Sequence, residues 1–273
     1  MNVIVRPPGA AFCRALSEHP ERDAIDVAGA RRQHAAFVAA LREAGVGLVE
    51  MPADEELPDA CFVSDVLITL PRAGDPGAPA ALAVATRPGA PSRRPEVAAV
   101  LDAARPLLGP ACRIAEIAAP GTLDGGDVIV YGDRVAIGLS ARTDRQAAEQ
   151  LAGLVRAVGY RPFLCPVAGR LHLATWVTVV RPDLLVGIAG GFASLEAGGP
   201  EVAPRAQIER IVLADDDVVA ANVLPLGGRV FLAAGHPRAA AALRRAGERV
   251  VELELSEFTR ADGGPTCLVS HVS

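Results

Sequence analysis

Hydrophobic positions along this chain alternate between helical and strand-like spacing. Residues 27–44 carry apolar side chains at helical spacing and lead into the short apolar run 47–51. The same order returns where a helix predicted over 97–108 leads into an apolar run at 113–117. Ser92 is a good N-cap ahead of this second helix. A chain that alternates helices with short apolar strands is predicted to form an α/β fold.

The later part of the chain adds hairpins to this order. Two apolar runs, 128–131 and 135–139, flank the turn Gly132-Asp133 and predict a pair of strands. Further strands are predicted at 1–6, 160–167, 175–180, 184–188, 211–213, 222–226, 230–234, 250–255 and 267–272. Further helices are predicted at 146–158, 200–209 and 238–246.

Together these elements form about five copies of a unit with two strands, a helix and a third strand, spaced by roughly 40–65 residues. No long polar linker separates the units, so residues 1–273 are predicted to form one domain. A radial arrangement of the units would bring polar residues at strand ends to a central mouth. An ordinary open α/β sheet is the alternative that the pattern leaves open.

Composition sets limits on partners. Hydrophobic residues make up 51% of the 273 positions, so a sizeable core is expected, built mainly from Ala, Val, Leu and Ile because aromatic residues are only 4%. The net charge of −5 argues against nucleic-acid or anionic-membrane partners and mildly favours a cationic ligand. No apolar run is long enough for a membrane span, and the first residues resemble a strand and not a signal peptide.

The five cysteines are widely spaced and form no CxxC pair, so neither a structural zinc site nor a disulfide framework is indicated. Cys61, Cys112 and Cys165 lie in apolar surroundings and are interpreted as core residues. We therefore expect a reducing, cytoplasmic setting.

The segment Asp124-Gly125-Gly126-Asp127 is the most informative candidate for chemistry. Its glycines let the backbone bring two carboxylates close together, although such turns are also common at surfaces. Cys267, after Gly-Gly-Pro, is a candidate nucleophile, and His172 is a candidate base that either acid could orient. Taken alone, each of these two residues is more often a packing residue.

Charged residues near predicted strand ends suggest a ligand with both signs of charge. Asp59 and Asp65 adjoin apolar segments and need a cationic partner, either a bound guanidinium or ammonium or a structural arginine. Arg87 and Arg142 suit a carboxylate, with a solvated charge as the alternative. No phosphate loop, HExxH metal motif or GxSxG elbow is present, so we expect no nucleotide, no metal and no other cofactor.

The chain resembles the dimethylarginine dimethylaminohydrolase family of the guanidine-modifying pentein superfamily. The resemblance covers essentially the whole chain and is carried by Leu57-Pro58-Asp59, Phe62-Val63-Ser64-Asp65, Thr86 to Arg94, Thr122 to Val128, Gly138 to Thr143, Leu171-His172-Leu173 and Asp262 to Cys267. It implies a five-bladed α/β propeller of pseudo-symmetric ββαβ modules, with the site in the central channel and no cofactor.

The resemblance also implies roles for individual residues. Cys267 would be the nucleophile, His172 the general acid and base, and Asp124 the residue that orients His172. The substrate-binding residues would be Asp59 for the α-amino group, Asp65 for the guanidinium, and Arg87 and Arg142 for the α-carboxylate, with Ser64, Ala261 and a lid carbonyl near Leu16 or Ser17 as further contacts.

The implied reaction is hydrolysis of N-ω-methylated L-arginine to citrulline and an amine through a covalent thiouronium. One position departs from the family, because Ser64 stands where the family usually has Glu. A charge-assisted contact to the guanidine is thereby lost, and this changes the expected substrate more than the reaction class. Hydrolysis of another substituted arginine or of arginine itself, amidino transfer, and a non-catalytic binding role remain as alternatives. We expect a small guanidino amino acid as the ligand and a monomer or homodimer.

Overall fold

The computed structural model describes residues 2–75, 77–167, 169–198 and 208–272. The first elements along the chain are β1 (Asn2–Val5), α1 (Val27–Glu43) and β2 (Gly47–Glu50). Three complete units follow: β3 (Leu67–Leu70), β4 (Leu82–Ala85), α2 (Glu96–Ala104) and β5 (Arg113–Glu116); β6 (Val128–Tyr131), β7 (Arg134–Leu139), α3 (Arg145–Arg156) and β8 (Arg161–Pro166); β9 (Val177–Arg181), β10 (Leu184–Ile188), α4 (Ala189–Ala197) and β11 (Glu209–Leu213). The last elements are β12 (Leu224–Leu226), β13 (Arg229–Ala233), α5 (Pro237–Arg245), β14 (Val250–Leu253), α6 (Ser256–Thr259) and β15 (Ser270–His271).

Each described unit contributes one three-stranded sheet, and the five sheets share one pairing pattern. The middle strand runs antiparallel to the first strand and parallel to the third, as in β3-β4-β5. A hairpin followed by a helical crossover produces this order, because parallel neighbours need a long connection. In the fifth sheet the first strand is β15, from the other end of the chain, paired with β1. The two chain ends therefore close the ring, and the predicted α/β propeller of five ββαβ modules is confirmed.

The helices pack their small apolar faces against the sheets. In α3 the side chain of Asp144 accepts a hydrogen bond from the Ala147 amide at 2.8 Å and caps the helix, as its position ahead of an apolar run predicts. The buried face of α3 consists of Ala147, Ala148, Leu151, Ala152 and Val155. Burial of such apolar surface stabilises each module at about 25 cal/mol per Å². No described helix is long and apolar enough to cross a membrane.

Phenylalanine is concentrated in one part of the molecule. Five of the seven phenylalanines belong to the cluster between the first and last modules, where Phe12 packs on Phe62 and Phe258 with ring centroids 5.9 Å and 5.4 Å apart. Phe12 lies in a short 3-10 turn, Ala10–Arg14, that leads to Leu16. Aromatic packing therefore anchors the start of the segment that leads to Leu16.

Most predicted elements agree with the structure to within a few residues, but two regions differ. The helix predicted at 200–209 lies mostly outside the described residues, and Glu209 begins strand β11. A helix instead occupies Ala189–Ala197, where Gly190 and Gly191 lower the local helix propensity and hide it from the pattern. Cys267, assigned to the last predicted strand, lies in a 3-10 turn, Pro265–Leu268, ahead of β15.

Candidate active site

The candidate site is built from equivalent positions of the five modules. A 3-10 turn precedes the first strand of every sheet: Val63–Asp65, Gly125–Asp127, Leu173–Thr175, Asp215–Ala221 and Pro265–Leu268. The residues in or next to these turns include Asp65, Asp124, His172, Asn222 and Cys267. Repetition of one turn around the ring thus gathers residues from distant parts of the chain, from Asp65 to Cys267.

His172 is held by two carboxylates. Its Nε2 lies 3.0 Å from Oδ2 of the fully buried Asp124, and its Nδ1 lies 3.9 Å from Oδ1 of Asp65. Burial by itself would lower the pKa of His172, but Asp65, Asp124 and Asp127 outweigh burial and raise that pKa to about 9. The imidazole is therefore protonated at neutral pH, and Asp124 fixes its orientation through Nε2.

Asp127, the second acid of the Gly-Gly turn, supports the backbone around the histidine. It accepts hydrogen bonds from Ser140 Oγ at 2.6 Å, Thr143 Oγ1 at 2.7 Å and the Leu173 amide at 3.0 Å. Burial raises the pKa of Asp127, although His172 and these donors oppose that shift. Of the two acids that could orient His172, Asp124 makes the direct contact and Asp127 fixes the adjacent peptide.

Cys267 lies near the tip of the last 3-10 turn and lines the same cavity as His172. The Gly264 amide donates to Sγ at 3.5 Å, and Asn222 Nδ2 lies 4.0 Å from Sγ. Burial, and then the charge of Asp65, raise the pKa of Cys267 to about 11. Cys267 is therefore a thiol in the same cavity as the imidazolium of His172.

Arg93 is a central residue of the site that sequence reasoning did not assign. Its guanidinium is 3% exposed and lies 2.5 Å from Asp65 Oδ2 and 2.8 Å from Glu96 Oε2. It also donates to the Phe62 carbonyl at 2.9 Å. Burial opposes ionisation of Asp65, but His172 and Arg93 lower the pKa of Asp65. The structural arginine that was weighed as a partner for the buried acids is thus present.

Asn222 is the second residue that sequence reasoning missed. Its side-chain oxygen accepts hydrogen bonds from the Thr266 amide at 3.1 Å and hydroxyl at 3.0 Å, and its Nδ2 donates to the Ala174 carbonyl at 3.4 Å. A Cβ on Gly264 would lie 2.5 Å from the same oxygen, which explains the glycine there. Asn222 therefore connects the turn that carries Cys267 to the turn that follows His172.

Asp59 and Leu16 meet at the outer side of the cavity. The Leu16 amide donates to Asp59 Oδ1 at 3.0 Å, and both residues line the cavity together with Ala261. Burial raises the pKa of Asp59, with Arg93 opposing. The segment after Leu16 is held by Asp262, whose carboxylate accepts from Ser17 Oγ at 2.8 Å and the Glu18 amide at 2.7 Å. Residues 17–18 are thereby joined to the loop that precedes Cys267.

The remaining predicted residues fall into two groups. Arg142 lines the cavity, with Nη1 3.9 Å from Asp124 Oδ2. Arg87 does not line it, since its Nη1 donates to the carbonyls of Pro120 and Gly121 at 3.0 Å and 3.1 Å. Ser64 also lies outside this cavity and lines a second cavity behind it. The structure thus brings together Asp59, Asp65, Asp124, Arg142, His172, Cys267, Ala261 and Leu16, with Asp124 reaching the cavity through His172 and Arg142.

A metal is the other ligand these acids could hold. Among the described residues, Asp65, Asp124 and His172 place one ligand atom each within 4.8 Å of one another. Their contacts with Arg93, Arg142 and the protonated imidazole already balance the carboxylate charges. Ion pairing therefore accounts for the cluster, and within the part of the chain that the structure describes no fourth His, Cys, Asp or Glu joins it.

Comparison with known proteins places the chain in a family. Residues 113–189 match the family model described as arginine deiminase. The dimethylarginine dimethylaminohydrolases of Pseudomonas aeruginosa and Streptomyces coelicolor are 32% and 34% identical, over 98% of this chain and 97% and 95% of theirs. A crystal structure of the P. aeruginosa enzyme, a cysteine-to-serine variant complexed with citrulline, superposes with a TM-score of 0.85 at 29% identity, covering 98% of this chain and 97% of that one. The chain therefore belongs to the dimethylarginine dimethylaminohydrolase family.

Proposed function

We propose that this protein hydrolyses N-ω-methylated L-arginine to L-citrulline and methylamine or dimethylamine. The observation that carries the proposal is the convergence of Cys267, His172 and Asp65 in one cavity, in a chain whose relatives are named for this activity. Reaction at a guanidinium carbon needs a nucleophile, a proton donor for the departing amine and an anion to hold the cation. These three residues can supply those functions.

The charges around the cavity fit an amino acid with a guanidinium side chain. Asp65 would hold the guanidinium and Asp59 the α-amino group, while Arg142 would bind the α-carboxylate, because arginine suits carboxylates. Arg87 would join Arg142 only if it exchanged its contacts with Pro120 and Gly121 for the ligand. Leu16 and Ala261, which line the same cavity, complete the proposed set. Ser64 lies outside this cavity and would contribute only through its position next to Asp65.

The positive charge of a bound substrate would lower the raised pKa of Cys267. A thiol with a pKa of about 11 beside an acid is a poor nucleophile at neutral pH. A guanidinium placed against Asp65 adds a positive charge close to Sγ and lowers the thiol pKa in the complex. The enzyme is thereby most reactive when a cationic ligand fills the cavity.

In the first step the Cys267 thiol loses its proton to solvent, because the bound cation lowers its pKa, and the thiolate forms a C–S bond to the guanidinium carbon. The C–N bond to the methylated nitrogen breaks, and protonated His172 donates its proton to that nitrogen so that it departs as a neutral amine. In the second step neutral His172 takes a proton from water, whose oxygen attacks the same carbon. The C–S bond breaks, the thiolate is restored and citrulline leaves.

Arginine itself is a second candidate substrate. Ser64 cannot provide the additional carboxylate that the family usually directs at the guanidine, and part of the chain matches the arginine deiminase model. Loss of one charge-assisted contact weakens binding by about 1–2 kcal/mol. Such a loss changes the preference between arginine and its methylated forms while leaving the reaction class unchanged.

The proposed enzyme acts as one unit. The five sheets surround one channel, which supports residues 1–273 as a single catalytic domain.

All five cysteines are free thiols, which supports the expected cytoplasmic setting.

Citrulline release from asymmetric dimethylarginine, monomethylarginine and arginine tests the proposal. We expect turnover of the methylated substrates and its loss in Cys267→Ala, with Cys112→Ala as the matched control because Cys112 packs in a separate cluster. Protein trapped during turnover should gain, on Cys267, the mass of the substrate less the departing amine, whereas an added amidino group alone would indicate amidino transfer. Absence of citrulline from all three substrates, with a folded protein, would contradict the proposal.

A further inference from the structure

Asn222 lies outside the candidate active-site cavity, yet it contacts the two residues whose polar groups approach the Cys267 sulfur. These two residues are Gly264 and Thr266, and neither they nor Asn222 line that cavity. Asn222 is 7% exposed and directly follows the 3-10 turn Asp215–Ala221, so it comes from a different module from Cys267. Any effect of Asn222 on a ligand in the cavity is therefore indirect.

Two donors oppose the rise in the pKa of the Cys267 thiol. The Gly264 amide donates to Sγ at 3.5 Å, and the Thr266 hydroxyl oxygen lies 4.0 Å from Sγ. Burial, and then the charge of Asp65, raise the pKa of Cys267 to about 11, whereas these two donors act in the opposite direction. Hydrogen bonds to a charged group favour its charged form, so the position of both donors determines how readily the thiolate forms.

Asn222 packs against the first of these donors. A Cβ added to Gly264 would lie 2.5 Å from Asn222 Oδ1 and 2.6 Å from Asn222 Cγ, so the side chain rests directly on the Gly264 backbone. The same Oδ1 accepts a hydrogen bond from the Thr266 amide at 3.1 Å. Asn222 thereby holds the backbone of residues 264–266 and fixes the direction of the Gly264 N–H.

Asn222 also holds the second donor. Its Nδ2 donates to Thr266 Oγ1 at 2.8 Å, and its Oδ1 lies 3.0 Å from the same oxygen. A hydroxyl that accepts from Nδ2 keeps its own proton, which it can direct at Oδ1 or, by rotation, at Sγ. Because charge-assisted hydrogen bonds are the stronger ones, a thiolate attracts this proton more than a thiol does. The Thr266 hydroxyl can therefore turn from Oδ1 to Sγ when Cys267 ionises.

We propose that Asn222 is a positioning residue for the nucleophile, which holds the Gly264 amide and the Thr266 hydroxyl where both stabilise the Cys267 thiolate. This inference rests on the proposed function, in which that thiolate attacks the substrate. Asn222 also ties the Cys267 turn to the turn that follows His172, because Nδ2 donates to the Ala174 carbonyl at 3.4 Å.

The charged groups around Cys267 are separate from this set of donors. Those that line the cavity with it are Asp59, Asp65, Arg93, Arg142, His172 and Asp262. Substitution of Asn222 or Thr266 leaves all of them in place. A change in the ionisation of Cys267 in such variants would therefore report the loss of hydrogen-bond donors.

The first experiment measures iodoacetamide alkylation of Cys267 in the free protein, resolved by peptide mass spectrometry. Asn222→Ala and Thr266→Val should each lower the rate constant about three- to tenfold at pH about 8, because a rise of one pKa unit cuts the thiolate fraction tenfold and the greater nucleophilicity of a more basic thiolate offsets part of this. Thr266→Ser keeps a hydroxyl and should stay within about twofold of the wild type. The exposed Cys13 of the same samples is the internal control and should react equally in all of them.

Turnover of N-ω-monomethyl-L-arginine provides the second readout. In Asn222→Ala, kcat should fall at least about tenfold, because small displacements of a reacting group are costly, while KM stays within about threefold. Ser270→Ala is the matched control near Cys267 in the chain, since it removes a buried hydroxyl that donates to the Leu67 carbonyl at 3.2 Å. It should leave kcat and the alkylation of Cys267 unchanged.

The outcomes separate this inference from the proposed function. Alkylation of Cys267 at the wild-type rate in both Asn222→Ala and Thr266→Val would overturn it, and so would a raised KM with unchanged kcat. If Asn222→Ala does not fold, the nearly isosteric pair Thr266→Val and Thr266→Ser decides the question. Absence of citrulline with the wild type would contradict the proposed function, whereas alkylation of Cys267 needs no substrate and still tests the role of Asn222.

Discussion

The two ends of the central channel differ in chemistry although the same five modules build them. At the front, the 3-10 turns place Asp65, His172 and Cys267 around one cavity, which Arg93 also lines. At the rear, the strands that follow those turns line a mostly aliphatic cavity. Charged groups therefore occupy the ends of strands, where backbone turns can satisfy them, while apolar groups occupy the strands themselves.

The difference teaches how a repeated fold carries a unique site. Repetition of the turn supplies five converging positions, and these hold two aspartates, a histidine, an asparagine and a cysteine, so the side chains make the site asymmetric. The buried acids at the front are stable because each has partners, such as Arg93 for Asp65. Substitutions at the front should therefore lower activity or the free energy of unfolding far more than substitutions at the rear.

The largest effect is expected for Asp124→Asn. Asparagine cannot hold the imidazolium through Nε2 as a carboxylate does, and kcat/KM should fall by about 10³–10⁴, as when the acid of a catalytic triad becomes an amide. His172 must be protonated to release the amine, so wild-type kcat/KM should decline above pH about 9. Loss of a negative charge lowers the pKa of His172, so in the variant this decline should begin at lower pH.

A pH–rate profile of both proteins checks this expectation. Asp133→Asn, at an exposed ion pair with Arg161, is the matched control and should leave rate and profile unchanged. If kcat/KM of Asp124→Asn declines at the same alkaline pH as that of the wild type, Asp124 does not act on His172.

The second effect concerns stability. Arg93→Met removes the cation from two buried carboxylates, Asp65 and Glu96, and should lower the free energy of unfolding by about 3–5 kcal/mol. Arg105→Ala breaks an exposed ion pair with Asp102 and should cost less than about 1 kcal/mol. Urea unfolding of both variants measures the contrast. Similar urea midpoints for the two variants would mean that the ion pairs of Arg93 contribute no more to stability than a surface ion pair.

The smallest effect is expected at the rear. The hydroxyl of Thr178 makes no hydrogen bond in the described structure, so Thr178→Val should change the free energy of unfolding by less than about 0.5 kcal/mol or increase it. Thr86→Val is the matched control at the front, because the Thr86 hydroxyl donates to the Asp65 carbonyl at 2.8 Å. Its loss should cost about 1–3 kcal/mol. A larger loss of unfolding free energy in Thr178→Val than in Thr86→Val would contradict the expected difference between rear and front.

Much of the site could be found from sequence because its residues lie in short motifs. The pair Cys267 and His172 and the acids Asp59, Asp65 and Asp124 were assigned from their local contexts, and the structure brings them together. Arg93 was missed although it has a recognisable signal, an Arg-x-x-Glu spacing at a helix start. Asn222 had no such signal, because its role depends on contacts with Thr266 and Ala174 in other modules.

The sequence by itself determined most of the elements and their order, because hydrophobic spacing, helix caps and Gly-containing turns act over a few residues. It also indicated candidate reactive side chains, such as Cys267 and His172. Only the tertiary structure decided which of two acids contacts His172 and where Arg87 and Ser64 lie. It also decided that a second, mostly aliphatic cavity is present inside the ring. Those outcomes depend on closure of the ring by β15 and β1, which sets distances between residues that no local pattern relates.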